Sequence, residues 1–262
     1  MSANSGGSEG GGGQAGAVGA LSLSARSLFK DECFGITVKA AAVALAWLAL
    51  VKSSKALKVL PSTDARKLLH VGIGLLFCLT WAWYPAAAPA ARLWASAIPA
   101  SITAAVGAAG AGLYSDRHLV EAMSRSGDPA ELLTGPLVYG AVHWLAAAAF
   151  WLDSPVGVVA IAALCAGDGF ADIVGRRLGR SASARLPWNA DKSYAGTAAF
   201  VLFSFVAASG LLAWHGMLAA VPAPALLAVC AGSAAVESLP YFGEYDNAAV
   251  FATAVALGST LL

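Results

Sequence analysis

Asp168-Gly169-Phe170-Ala171-Asp172-Ile173-Val174-Gly175-Arg176-Arg177-Leu178-Gly179, followed by Leu186-Pro187-Trp188-Asn189-Ala190-Asp191-Lys192-Ser193-Tyr194-Ala195-Gly196, is a polar stretch set inside an otherwise apolar chain. The chain is 58% hydrophobic, with a mean hydropathy of +0.70 and only 12% charged residues. A soluble domain carries roughly 25%, so an ordinary water-soluble fold is excluded. Ionisable residues at the end of an apolar helix are costly and mark function. Two carboxylates, several small residues, paired arginines and a Lys-Ser are what a magnesium-nucleotide site needs. The reading is an all-α integral membrane protein with an active site at the membrane surface.

Working outward, apolar runs near the length needed to cross a bilayer, about 20 residues with a lower limit of about 17, cover 35–51, 68–84, 93–114, 136–152, 155–175, 194–214, 219–236 and 246–262. The expectation is a polytopic bundle of about seven to eight transmembrane helices, seven if the first only lies on the surface. No repeat of 20–50 residues is visible, so 35–262 reads as one membrane domain. Residues 1–34 read as a disordered tail, Gly-, Ser- and Ala-rich. The tail lacks the apolar core of a secretory signal and fits a plastid transit peptide loosely.

With eight spans, 52–67, 115–135, 176–193 and 237–245 fall on one side. That side and its adjoining helix ends hold all of the 16 Lys and Arg except Arg26, Lys30, Lys39 and Arg92. An excess of Lys and Arg in short loops marks the cytoplasmic-type face. The same side holds all of the 15 acids except Glu9, Asp31, Glu32 and Asp153. Polar chemistry is thus concentrated on one face, with access to nucleotides. A transporter would sooner place such residues near the midplane. The net charge of +1 and the lack of a basic face interleaved with aromatics argue against nucleic acid as a partner. Cys33, Cys78, Cys165 and Cys230 form no Cys-x-x-Cys or Cys/His cluster and read as small core residues.

Asp168 and Asp172 are i, i+4, one turn apart on one helix face. Such a pair can hold one Mg2+ that keeps waters and binds phosphate oxygens; the alternative is pairing with Arg176 and Arg177. Gly167, Gly169, Gly175 and Gly179 let backbone approach phosphates or neighbouring helices. Lys192 and Ser193 open the sixth run, where a helix start favours phosphate; the alternative is an interfacial lysine. No P-loop is present. Glu237 is a candidate metal ligand or general base. Asp246 is a further metal ligand or a helix cap. Arg66 and Lys67 would attract an anionic nucleotide or simply end a helix at the membrane face, and His70 reads as a satisfied polar residue.

Asp168-x-x-Ala171-x-x-x-Gly175-x-x-x-Gly179, with Lys192-Ser193-x-x-Gly196, resembles the CTP-binding region of dolichol-kinase-like polyprenol kinases. The strings GDGFADIVGRRLG, LPWNADKSYAG, VESLP and DARKLLH resemble plant phytol and farnesol kinases from about residue 60 to the C-terminus. The resemblance implies a plastid-membrane enzyme transferring a phosphoryl group from a nucleoside triphosphate, preferably CTP with Mg2+, to an isoprenoid alcohol. Phytol is the first expectation, giving phytyl phosphate for phytol salvage and tocopherol synthesis; farnesol and geranylgeraniol follow. Under it Asp168, Asp172 and Glu237 are catalytic, and Asp246 joins them on the metal. Gly167, Gly169, Gly175, Arg176, Arg177, Gly179, Lys192, Ser193, Gly196, Arg66 and Lys67 bind nucleotide. A cytidylyltransferase related to CDP-diacylglycerol synthase is the alternative enzyme, and a transporter for an anionic solute the alternative class.

Overall fold

The computed structural model describes residues 32–85, 88, 90–124 and 126–262. Nine helices follow in order among them: α1 (Glu32–Ala56), α2 (Ser62–Thr80), α3 (Ala91–Gly110), α4 (Arg117–Met123), α5 (Gly135–Leu145), α6 (Pro155–Leu178), α7 (Tyr194–Trp214), α8 (Ala223–Glu237) and α9 (Asp246–Leu261). Each apolar run read from the sequence is a helix, because in hydrocarbon every backbone N–H and C=O must be satisfied within the segment. Six of them, counting α5 together with the helical turns that flank it (Pro129–Phe150), are long and apolar enough to cross a membrane. The last two are shorter, at 15 and 16 residues. The protein is an all-α polytopic membrane protein.

Of the tail expected over 1–34, all but Glu32–Phe34 lies outside the described residues, and those three open α1. The transit-peptide expectation likewise falls outside them. α4 is a short amphipathic addition between α3 and α5, capped by Asp116, whose side chain accepts from the Leu119 amide at 3.0 Å.

α6 is the axis of the bundle. Ser154 caps it, Pro155 sits at its first turn, and Val156 to Gly169 is buried almost without interruption. Residues apolar all round make a helix that must be enclosed by others, and 89% of its apolar window is buried inside the protein. A π-helical turn at Ala163–Gly167 lies just before Asp168. Such turns insert a residue and rotate the following segment relative to the preceding one.

Small residues let the neighbours close on this axis. A Cβ at Gly169 would lie 2.2 Å from Val71 of α2, and one at Gly167 would lie 2.7 Å from Phe200 of α7. Between α6 and α7 the chain makes a small antiparallel hairpin, β1 (Arg185–Leu186) and β2 (Asn189–Ser193), around Pro187-Trp188. The strand pair is too short to alter the fold class.

The N-terminal end of α2, the C-terminal end of α6, the hairpin and the C-terminal end of α8 meet at one end of the bundle. At the other end the Trp214 indole donates to the Leu79 carbonyl at 3.0 Å, and Arg92 pairs with Asp153. Cysteines introduced at the exposed Ser126 and Ser183 should therefore react with an impermeant maleimide from one face, and one at Ala219 from the other. The four native cysteines are free and buried, so background labelling is low. Opposite labelling of Ser126 and Ser183 would contradict the helix order.

Candidate active site

Three elements deliver charge to the same end of the bundle. On α2, Asp64, Lys67 and His70 recur every three residues and so share a face. On α6, Asp168 is buried and Asp172 stands one turn further toward the surface, with its side chain 33% exposed. The hairpin brings Lys192 to Glu237 at the end of α8.

The contacts gather these groups in three adjacent sets. Lys67 Nζ donates to Asp168 Oδ2 at 2.9 Å. His70 Nε2 lies 3.4 Å from the same oxygen and 3.0 Å from the Leu164 carbonyl. Arg176 Nε donates to Asp172 Oδ2 at 3.0 Å, and its Nη2 donates to Asp64 Oδ1 at 2.8 Å. Arg177 Nη2 reaches Asp64 Oδ2 at 2.7 Å. Lys192 pairs with Glu237. The hairpin is anchored to α8 because Asn189 Nδ2 donates to the Ser238 carbonyl at 3.0 Å and the Trp188 indole donates to the Ser238 hydroxyl at 3.2 Å.

Lys192 is the electrostatic meeting point. Burial opposes its charge, but the carboxylates of Glu237, Asp168 and Asp246 outweigh that and hold its pKa above the ordinary lysine value. The Lys67 and Lys192 side chains keep 20% and 29% exposure, so both ammonium groups reach the surface from a partly dry site. Point charges of this kind suit phosphate oxygens.

The carboxylates do not form one four-ligand metal cage. Asp168, Asp172 and Glu237 each face a cation of the protein. Among the described residues no group of three or more His, Cys, Asp or Glu stands close enough to hold a metal. Mg2+ commonly takes only one or two carboxylates and completes its shell with water and phosphate oxygens. The donor set therefore fits an ion carried in on a nucleotide, and does not fit a resident caged ion.

Several residues expected at the nucleotide have other roles here. Gly167 and Gly169 sit at helix contacts, because Phe200 and Val71 fill the space beside them. Gly175, Gly179 and Gly196 enclose Ser193, each leaving its would-be Cβ within 3.2 Å of the Ser193 hydroxyl. That hydroxyl caps α7 by accepting from the Gly196 amide at 3.1 Å, and Ser193 is 3% exposed. In this structure the Ser193 hydroxyl is committed to the cap. Arg176 and Arg177 hold Asp64, so the two arginines brace α2 against α6. Arg66 lines a separate cavity with α1 and α4. Asp246 accepts from the Asn247 amide at 2.8 Å and sits at the start of α9, facing Lys192.

The sequence reading did not assign Asp64 to the site, and His70 was read as bland. The Asp64, Lys67, His70 spacing was the available signal. What it lacked was any indication that this face turns toward Asp168.

The structure is thus an all-α membrane bundle with lysines and carboxylates gathered at helix ends on one face. Three curated relatives place the chain further. It is 38% identical over 231 residues to "Probable phytol kinase 2, chloroplastic" of Oryza sativa subsp. japonica, covering 86% of this chain and 75% of that protein. It is 38% identical over 189 residues to "Probable phytol kinase 1, chloroplastic" of Glycine max, covering 70% of this chain and 61% of that protein. It is 36% identical over 202 residues to "Farnesol kinase, chloroplastic" of Arabidopsis thaliana, covering 75% of this chain and 64% of that protein. Neither a family model nor a solved structure matches the chain. The chain belongs to the phytol and farnesol kinase family.

Proposed function

We propose that this chain is an isoprenoid-alcohol kinase of the chloroplast membrane, with phytol as acceptor and CTP as phosphoryl donor. The observation that carries the reading is the convergence of Lys67, Asp168, Lys192 and Glu237 at one membrane face, in a chain whose relatives are named phytol and farnesol kinases. Those names, which also read chloroplastic, support the acceptor class and the compartment. CTP and tocopherol synthesis rest on the motif resemblance alone.

Phosphoryl transfer needs positioning and charge neutralisation more than covalent help from the protein. Magnesium bound with the nucleotide would be held by Asp168 and Asp172, with Glu237 and Asp246 at hand, and would neutralise charge on the phosphates. Lys192 and Lys67 present their ammonium groups to the phosphate oxygens. Glu237 accepts the proton of the alcohol as its oxygen bonds to the γ-phosphorus and the bond to the CDP oxygen breaks. His70 holds Asp168 from beneath.

The alcohol must be amphipathic, with its hydroxyl at the interface and its chain among apolar helices. Each buried methylene contributes about 0.8 kcal/mol, which favours a C20 chain over short ones where the groove is long enough. The Ala-rich face of α3 lines an apolar groove of about 520 Å³ with Leu137 and Trp144 of α5, a candidate berth for a branched, mostly saturated chain.

Purified protein incubated with CTP, ATP, GTP or UTP and a panel of C10–C20 prenyl alcohols should yield phytyl phosphate and CDP fastest from phytol and CTP. Release of pyrophosphate would instead indicate cytidylyl transfer. Faster turnover of farnesol than phytol would overturn the choice of acceptor. No prenyl phosphate with any nucleotide would overturn the kinase reading.

A further inference from the structure

On the same face as the charged cluster, but turned away from Asp168 around α2, lies a cavity of about 350 Å³ between α1, α2 and α4. Its lining combines a basic rim with an apolar floor. Lys52 and Lys55 come from the last turns of α1, Arg66 from the first turns of α2, and His118 from α4; Val51 and Leu69 lie below. Among the described residues that line it, the sole acid is Glu121. That carboxylate already accepts from Arg117 at 2.7 Å, and it also feels His118 and Lys55 of the rim.

We propose that this cavity binds a phosphate anion, and that the anion is the headgroup of an acidic membrane phospholipid. Lys52 and Lys55 of α1 and Arg66 of α2 converge where two spanning helices end, so the cavity opens at the level where headgroups lie. A basic pocket between transmembrane helices on the Lys- and Arg-rich face suits an anionic headgroup. The apolar floor suits the glycerol and upper acyl carbons, which a soluble phosphate lacks. The site is not the nucleotide site: Arg66 and Lys67 are neighbours on α2, but only Lys67 turns to Asp168. The Thr63 hydroxyl, also at the cavity wall, accepts from Arg176 Nη1 at 3.2 Å. An occupant therefore bears on the helix that carries Lys67 and on the arginine that braces it.

The test uses the full chain purified in detergent and native mass spectrometry during titration with phosphatidylglycerol, phosphatidylcholine or inorganic phosphate. One equivalent of phosphatidylglycerol should bind at least tenfold more tightly than phosphatidylcholine. Each Lys or Arg near an anionic headgroup contributes about 1 kcal/mol, or roughly fivefold. Lys52→Gln with Lys55→Gln should therefore weaken phosphatidylglycerol about tenfold or more. Lys58→Gln, the same charge change outside the cavity, should have little effect, and Glu121→Gln should tighten binding. Displacement of the lipid by inorganic phosphate below millimolar would keep the phosphate site and overturn the lipid as its occupant. Equal binding of the two lipids, or an equal loss in Lys58→Gln, would overturn the site itself.

Discussion

Asp168→Asn should lower kcat about a hundredfold or more, the scale of removing one preorganised electrostatic group from a catalytic site, with the protein still inserted and recovered in normal yield. The change keeps shape and removes charge. Asp168 is 5% exposed and receives Lys67, with His70 against the same oxygen. Without the carboxylate, the ion carried by the nucleotide loses a ligand and the Lys67 ammonium loses its fixed direction. The fold survives because Lys67 is part-exposed and can turn to water, which avoids the cost of an uncompensated buried charge. Asp172→Asn should cost less. Its side chain is more open, and its charge is already matched by Arg176. Turnover at saturating magnesium, with size-exclusion elution as the check on folding, separates the two. Near-normal turnover in Asp168→Asn would remove Asp168 from the mechanism. An equal loss in both variants would restore the symmetric carboxylate pair that the i, i+4 spacing alone suggests.

That asymmetry marks the limit of what the sequence could convey. Helix placement was legible because an apolar run of bilayer length has few other ways to satisfy its backbone. α6 was recognised from its apolar half and its charged end. The π turn before Asp168 was not, because nothing in Ala163-Leu-Cys-Ala-Gly167 distinguishes it from a regular helix. The charged face was legible from the distribution of Lys and Arg. The partners were not. Arg176 and Arg177 looked ready for phosphate, and their partner Asp64 lies 112 and 113 positions away in the chain. Glycines carry the same ambiguity. Gly175, Gly179 and Gly196 fit a phosphate loop or a tight helix crossing equally well in one dimension, and only the position of Ser193 among them decides. Arg66 and Lys67 make the same point. Adjacent residues on a helix point about 100° apart, so a run that reads as one basic patch divides, with Lys67 on Asp168 and Arg66 lining a cavity.

Lys192→Ala should lower kcat/KM for the nucleotide about a hundredfold while leaving KM for the alcohol nearly unchanged. Lys192 stands where the fields of Glu237, Asp168 and Asp246 overlap, and those carboxylates hold its pKa above the ordinary lysine value. It therefore keeps its charge as pH rises through the range in which free lysine begins to lose it, near pH 10, and alkaline loss of activity should not originate here. Two roles fit this position. Lys192 either neutralises Glu237, or leaves Glu237 to hold a phosphate when nucleotide arrives. A double-mutant cycle with Glu237→Gln, read in nucleotide affinity because Glu237 is also the proposed base, distinguishes them. If pairing is the only role, the single alanine weakens binding because it strands a buried carboxylate. Neutralising that carboxylate in the double variant should then restore much of the nucleotide affinity. If Lys192 acts on phosphate, the double variant should bind nucleotide no better than Lys192→Ala. Lys192→Arg, which keeps the charge, should recover part of the loss. The expected result is no rescue of affinity by Glu237→Gln and partial rescue by arginine. Affinity restored by Glu237→Gln would limit Lys192 to pairing, and a defect confined to the alcohol would move it to the lipid-facing mouth of the site.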